Sequence, residues 1–338
     1  MTVSRLGGGI VAIAMLIGTT TSCTPTDVAS ADCLDNTPIV VKSGVFDDPT
    51  QSSDLFWEYS PPFVAGTTVD GRAAAWSGPA LYTTGGVATN YRPLRFSGET
   101  AGVCMVGGSV QMAADPLVMD QAAWHKPTAL TNRHPQFTSV GLTIDNVGDG
   151  INMAESAVDF RIIGARMTNV HDDCVEDDGM RGGLIEDSYL ECWSGLSARG
   201  YDNYVHHRPE ETVTVRNSLI YATGSPQLTA GHVGWFKFSN NPATEGTPPK
   251  LVLDKVVLRV DTPPNLEHSL ELPPTYRDVS DPTGHTRIPW PMECIDVVIV
   301  WGGAATYGPY TWPVPPCATV TEDLSVWQTA VANWEEGR

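Results

Sequence analysis

The chain has 338 residues, 41% of them hydrophobic, and a formal net charge of −19 from 39 acidic and 20 basic side chains. That balance argues against nucleic acid and anionic membrane surfaces as partners, and it disfavours a polyanionic ligand unless a local basic cluster offsets the field. With 32 Gly, 26 Pro and few helical patterns, the composition points to a turn-rich, all-β protein.

Residues 1–22 read as an export signal: Arg5 gives a positive start, Ile10 to Ile17 an apolar core, and a Thr-rich stretch follows. The stretch is too short to span a bilayer comfortably. Two processing sites compete. Ser22-Cys23 fits lipidation at Cys23, although Thr20 stands where Leu is usual; Ala29-Ser30-Ala31 fits an ordinary signal-peptidase site. Lipidation is favoured, because removing Cys23 from the seven cysteines leaves an even set suited to an oxidising compartment. Residues 23–38 then form a polar tether, and residues 39–338 a single domain. The expected location is extracytoplasmic, either as a membrane-anchored lipoprotein or freely secreted.

Ile39-Val40-Val41 begins a first strand. Residues 47–100 read as an irregular, aromatic-rich cap over the N-terminal end of the fold, where an open sheet edge needs cover. Residues 103–112 resemble an early coil. From 139 to 200 three similar passages follow one another, each with two alternating runs around a polar corner, and Ile151, Val175 and Leu196 are spaced 24 and 21 residues apart. A period in the low twenties with two strands per unit predicts stacked coils of a right-handed parallel β-helix, with Ile151, Val175, Leu196 and Phe236 stacked inward. Later coils are expected at 212–222 with 235–238, at 250–261 with 269–272, and from Cys294. Insertions at 201–211, 223–234, 239–249 and 273–292 fall at corners. Thr319 to Glu322 predicts a capped helix start, and Leu324, Trp327, Val331 and Trp334 give an amphipathic helix closing the last coil.

The stacking gathers acids at one edge. Asp149, Asp172 and Asp173 fall at corners of adjacent coils, and the same strand positions place Asn152, Glu176, Ser197, Lys237 and Glu271 in one outward row. Arg199 lies nearby, and Lys237 is the row's cation. Carboxylates on neighbouring rungs, about 5 Å apart, repel one another, which raises a pKa and supplies an acid beside a base. Inverting glycoside hydrolysis needs that pairing. Asp149 alone also suits a turn residue, bonding free backbone N–H groups.

At these residues the sequence resembles the polygalacturonase-like family of glycoside hydrolases, over about 100 residues between 140 and 240. The matches are Asp149, the run Asp172-Asp173-Cys174, Cys192, Gly195-Leu196-Ser197 and Lys237. The sequence departs from the family pattern at Val147-Gly148, at Ser194 in place of His, and at Trp235-Phe236 before Lys237. The resemblance implies a right-handed β-helix with Asp172 as general acid and Asp149 and Asp173 activating water. It also agrees with a Cys174–Cys192 disulfide, which the 18-residue spacing on adjacent coils predicts independently. Cys33–Cys104 and Cys294–Cys317 are the expected remaining pairs.

The resulting expectation is a monomeric carbohydrate-active protein whose partner is a polysaccharide or oligosaccharide, touching the membrane only through a lipid anchor. No cofactor is expected: no Cys/His spacing fits zinc, and no Gly-rich phosphate loop precedes a helix. The alternatives are a polysaccharide lyase or epimerase with calcium at the acids, and a non-catalytic surface β-helix that binds glycan. His171, His206 and His207 read as packing or surface residues.

Overall fold

The structure, a computed structural model, describes residues 33–47, 63–78, 83–84, 87–88, 92–113, 127–199, 210–223, 234–239, 248–261, 268–277, 281, 283, 286–302 and 309–338. The export signal, Cys23, His206 and His207 lie outside the described residues, and so does the side chain of Arg199.

The chain coils into a parallel β-solenoid whose turns present three strand positions. On the first face, Cys104–Val106, Thr138–Val140, Phe160–Ile163, Gly183–Glu186, Thr212–Arg216, Lys250–Asp254 and Met292–Ile295 pair in succession, all parallel. The second face runs through Ser109–Met112, Thr143–Val147, the first halves of Arg166–Asp177 and Tyr189–Arg199, then Leu219–Ala222, Val257–Val260 and Val297–Trp301. The third stacks Leu94–Phe96, Thr128–Asn132, Asp149–Met153, the second halves of the same two long strands, and Gly234–Ser239. Sequence reading expected two strands per coil. The difference arises at the corner between the first two faces, which is so tight that residues such as 212–222 read as one alternating run.

That corner is built the same way on successive rungs. Gly107, Gly141, Gly164, Asp187, Asn217, Lys255 and Asp296 each follow a first-face strand and each adopts a left-handed backbone, with φ between 48° and 66°. From Gly107 to Lys255, each N–H donates to a carbonyl of the following rung. Gly, Asn and Asp reach this conformation at least cost, so the column selects them; Lys255 is the exception.

Inside, Ile151, Val175, Leu196 and Phe236 stand in register on adjacent rungs and are fully buried, as expected. Among the described residues, the N-terminal segment is more regular than the expected cap. Ile39–Phe46 and Thr68–Gly78 form a parallel pair, Leu94–Phe96 joins the third face, and Phe63 and Trp76 are buried core residues. At 269–272 the expected strand is absent: His268–Leu270 is a 3₁₀ turn, followed by the short antiparallel pair Thr275–Arg277 and Arg287–Pro289. Glu271 therefore continues no strand row, and its carboxylate accepts from the Thr275 hydroxyl at 3.1 Å.

The C-terminal helix, α1 (Leu324–Glu336), also differs from expectation. Ala318–Thr321 is a strand, and the cap is Asp323, whose carboxylate accepts from the Ser325 N–H at 2.9 Å. Rather than closing the last coil, α1 lies along the outside of the second face. Trp327 and Trp334 pack with Tyr189, Leu219 and Val300, and the Trp334 indole donates to the Asp187 carbonyl. The outward side of that face is apolar, so it needs a covering stripe more than the last coil does.

Cys174–Cys192, Cys33–Cys104 and Cys294–Cys317 are all disulfide-bonded, with Cα separations of 5.7, 5.9 and 5.6 Å. Cys174 and Cys192 are fully buried beside the acidic corner. Replacing both by Ala is expected to lower stability by about 3 kcal/mol, the entropy of an open loop of this length. Denaturant unfolding of the double variant checks this, and a loss below about 1 kcal/mol contradicts the loop-entropy account.

Candidate functional site

The acids gather where the second face turns into the third. The backbone N–H of Asp172 donates to Gly148 O at 2.9 Å, which docks one rung's corner on the next. Close approach is possible because Gly150 and Gly195 flank Cys174. A Cβ on Gly150 would lie 2.4 Å from the Cys174 carbonyl oxygen, and one on Gly195 would lie 2.6 Å from that of Trp235. Asp149, Asp172 and Asp173 thereby offer carboxylate oxygens that all lie within 4.8 Å of one another, on residues only 3–4% exposed.

Asp149 accepts from the Thr128 hydroxyl at 3.2 Å and, at the long distance of 3.4 Å, from the Asp173 N–H. Lys237 extends from two rungs away and places its Nζ 2.8 Å from Asp173 Oδ1 and 3.3 Å from Asp172 Oδ1. The outward row is also in register: Asn152 pairs with Glu176, Glu176 with Ser197, and Ser197 with Lys237. Going the other way, it continues through Thr131 to Arg95. Asn152 uses its amide as a bridge, donating at 2.7 Å both to Glu176 and to Asp178.

The electrostatics follow from this crowding. Asp149 is pushed well above the usual carboxylate range, first by burial and then by repulsion from Glu176, Asp172 and Asp173, with Lys237 offsetting part of it. Asp173 is raised by burial, pulled back by Lys237 and raised again by Asp172. Glu176 is pushed up to about 8 by burial and by Asp178 and Asp173, against the Asn152 bond and Lys237. Burial alone would lower the Lys237 ammonium, but Asp172 and Asp173 outweigh it and hold the proton firmly. One lysine thus faces several acids, and burial with mutual repulsion favours protonated carboxyls in the cluster.

Sequence reasoning placed Asp149, Asp172, Asp173, Asn152, Glu176, Ser197 and Lys237 together, and the register does bring them together. Lys237 is not a free cation awaiting a substrate oxygen, since it is spent on the two aspartates. Ser197 is almost fully buried. His171 contacts Asn146 at 2.8 Å and the ring of Trp193, as a packing residue does. Thr128 escaped notice because it carries no motif, and Asp178 stood out only as part of the acidic run 176–178; the rung-to-rung register identifies them as partners of Asp149 and Asn152.

Comparisons with protein-family models, with curated proteins and with solved structures found no match to this chain. The geometry therefore bears the chemical reading by itself. Three clustered carboxylate oxygens fit a hard cation such as calcium. However, the Lys237 ammonium already contacts two of the three, and a divalent ion would have to displace it. A protonated carboxyl next to ionised ones fits proton transfer equally well without that displacement.

Proposed function

We propose that this is an exported, right-handed parallel β-helix that hydrolyses glycosidic bonds in an extracellular polysaccharide, with inversion at the anomeric carbon. The observation that carries the reading is the buried trio Asp149, Asp172 and Asp173 with a single lysine among them. Such a cluster holds a proton donor beside an ionised carboxylate, the two components that glycoside hydrolysis requires. Asp149 is the donor: it has the strongly raised affinity for a proton and no ammonium within bonding distance among the described residues. Asp173, held against Lys237, activates water, with Asp172 beside it. The resemblance to polygalacturonase-like enzymes gives the donor role to Asp172 instead; the 3.3 Å contact from Lys237 to that residue favours the exchange of roles. The three disulfides fit an oxidising, extracellular location, and Cys23 is the proposed lipid anchor.

The trio is tighter than the about 6.5–9.5 Å usual between inverting carboxyls and nearer the about 5–5.5 Å of retaining enzymes. With three acids, two share the water side, so this spacing does not by itself call for a covalent intermediate. Proton NMR of fresh product decides the point: the inverted anomer is expected, and a retained one overturns the water-activating role.

The wider test is a glycan panel incubated with the soluble domain. New reducing ends are expected. An unsaturated, ultraviolet-absorbing end replaces this reading with a lyase using calcium. Binding without either product replaces it with a glycan-binding β-helix, a reading that the 3–4% exposure of the trio favours.

A further inference from the structure

A cleft of about 430 Å³ opens beside the outward row, within the range of small-molecule sites. Three arginines line it, Arg92, Arg133 and Arg181, against two acids, Asp178 and Glu155. On a chain with a net charge of −19, a cleft whose arginines at least match its acids departs locally from the overall acidity. Arg181 is engaged already, pairing with Glu211 at 3.0 Å and donating to the Glu155 carbonyl at 2.9 Å. Asp178 takes the Asn152 amide at 2.7 Å. No carboxylate among the described residues pairs with Arg92 or Arg133, and Arg133 is exposed.

Two buried polar atoms on the cleft wall have no hydrogen-bond partner among the described residues. They are Arg92 Nε and the hydroxyl of Thr131, a residue only 2% exposed. Buried polar groups are nearly always bonded, so each such orphan calls for a partner. A guanidinium fork and a hydroxyl together suit an oxyanion, which accepts from both. Thr131 and Asn152 belong to the same outward row that leads to Glu176 and Lys237. A group held in the cleft is therefore continuous with the acidic corner.

We infer that this cleft is an anion-binding subsite that takes a carboxylate or sulfate group carried by the saccharide chain, through Arg92, Arg133 and Thr131. The inference rests on the glycan reading for the identity of the ligand, but not for the binding of the anion. The anion subsite adjoins this row at Thr131 and Asn152 and the acidic corner adjoins it at Asn152 and Glu176, so the saccharide spans both.

The test is calorimetric binding at low ionic strength, using the soluble domain in an Asp149→Asn background so that turnover of the ligand is slowed. The probes are sodium sulfate, an oligouronate, a sulfated oligosaccharide and a neutral oligosaccharide of equal length. At least one acidic saccharide is expected to bind about tenfold or more tightly than the neutral one, with competition by sulfate, and whichever does so distinguishes carboxylate from sulfate recognition. Arg92→Gln/Arg133→Gln should erase that preference. Arg133→Gln alone, at an exposed side chain, should reduce it severalfold and covers the case in which the double variant fails to fold. Equal affinity for acidic and neutral ligands, or a preference that survives Arg133→Gln and the folded double variant, overturns the subsite and indicates that water fills the cleft. Acidic binding that depends on the arginines, in a protein that cleaves nothing in the panel, sinks the hydrolase reading and leaves the subsite standing.

Discussion

Asp149→Asn is expected to lower turnover of a natural glycoside by about 100-fold or more, the usual cost of losing a positioned proton donor. The fold should persist, because the amide is nearly isosteric and its oxygen still accepts from the Thr128 hydroxyl, which lies 3.2 Å from the carboxylate. A substrate whose leaving group needs no proton should be turned over far more readily by this variant, since Asp172, Asp173 and Lys237 remain. Asp173→Asn behaves differently: it removes the water-activating side, so both substrates should suffer alike. Steady-state kinetics of the two variants on the two substrates separates the roles. If Asp172→Asn, rather than Asp149→Asn, is the variant that spares the activated substrate, the donor is Asp172. If none of the three variants slows the natural substrate while all remain folded, the hydrolase assignment ends.

The coil repeat was legible because inward apolar residues such as Ile151, Val175 and Leu196 recur at a spacing that only stacking explains. Given that register, the row Asn152, Glu176, Ser197 and Lys237 followed, and so did the Cys174–Cys192 bond. The third strand position was hidden by its corner. A single left-handed residue at Asn217 or Asp296 does not interrupt the alternation of side chains that a reader of sequence follows. The placement of α1 was hidden for a different reason. Its stripe of Trp327 and Trp334 fits any apolar surface, and the outward face of Tyr189, Leu219 and Val300 exists only after the coils have stacked. The pairing of Lys237 with two aspartates and the arginine-lined cleft depend on side-chain reach across rungs and across loops distant in sequence. No local spacing encodes that reach. Arg92, Arg133 and Arg181 lie 41 and 48 residues apart and become neighbours only in the coil.

Lys237→Met is expected to cost about 3–5 kcal/mol at neutral pH, because it leaves Asp172 and Asp173 buried without their cation. The cost should depend on pH with a definite sign. Glu176 is raised in the folded protein from 4.5 to about 8, and Asp149 and Asp173 are raised as well. A raised carboxyl keeps a proton that the unfolded chain releases, so stability falls as pH rises from about 4.5 through the folded pKa. Lys237 lowers all three groups, which moderates that fall. Without it the fall becomes steeper and extends to higher pH. At the acid end Asp149, Asp173 and Glu176 keep their protons in both proteins, and the wild type then buries a lysine among fewer charged partners, so its advantage shrinks. The gap between wild type and variant should therefore be largest near pH 8 and close toward pH 4. Denaturant unfolding of both proteins across that interval measures it. A gap below about 1 kcal/mol at pH 8, or one that stays constant with pH, would mean that Lys237 contributes by packing alone and that the acids carry no charge for it to neutralise.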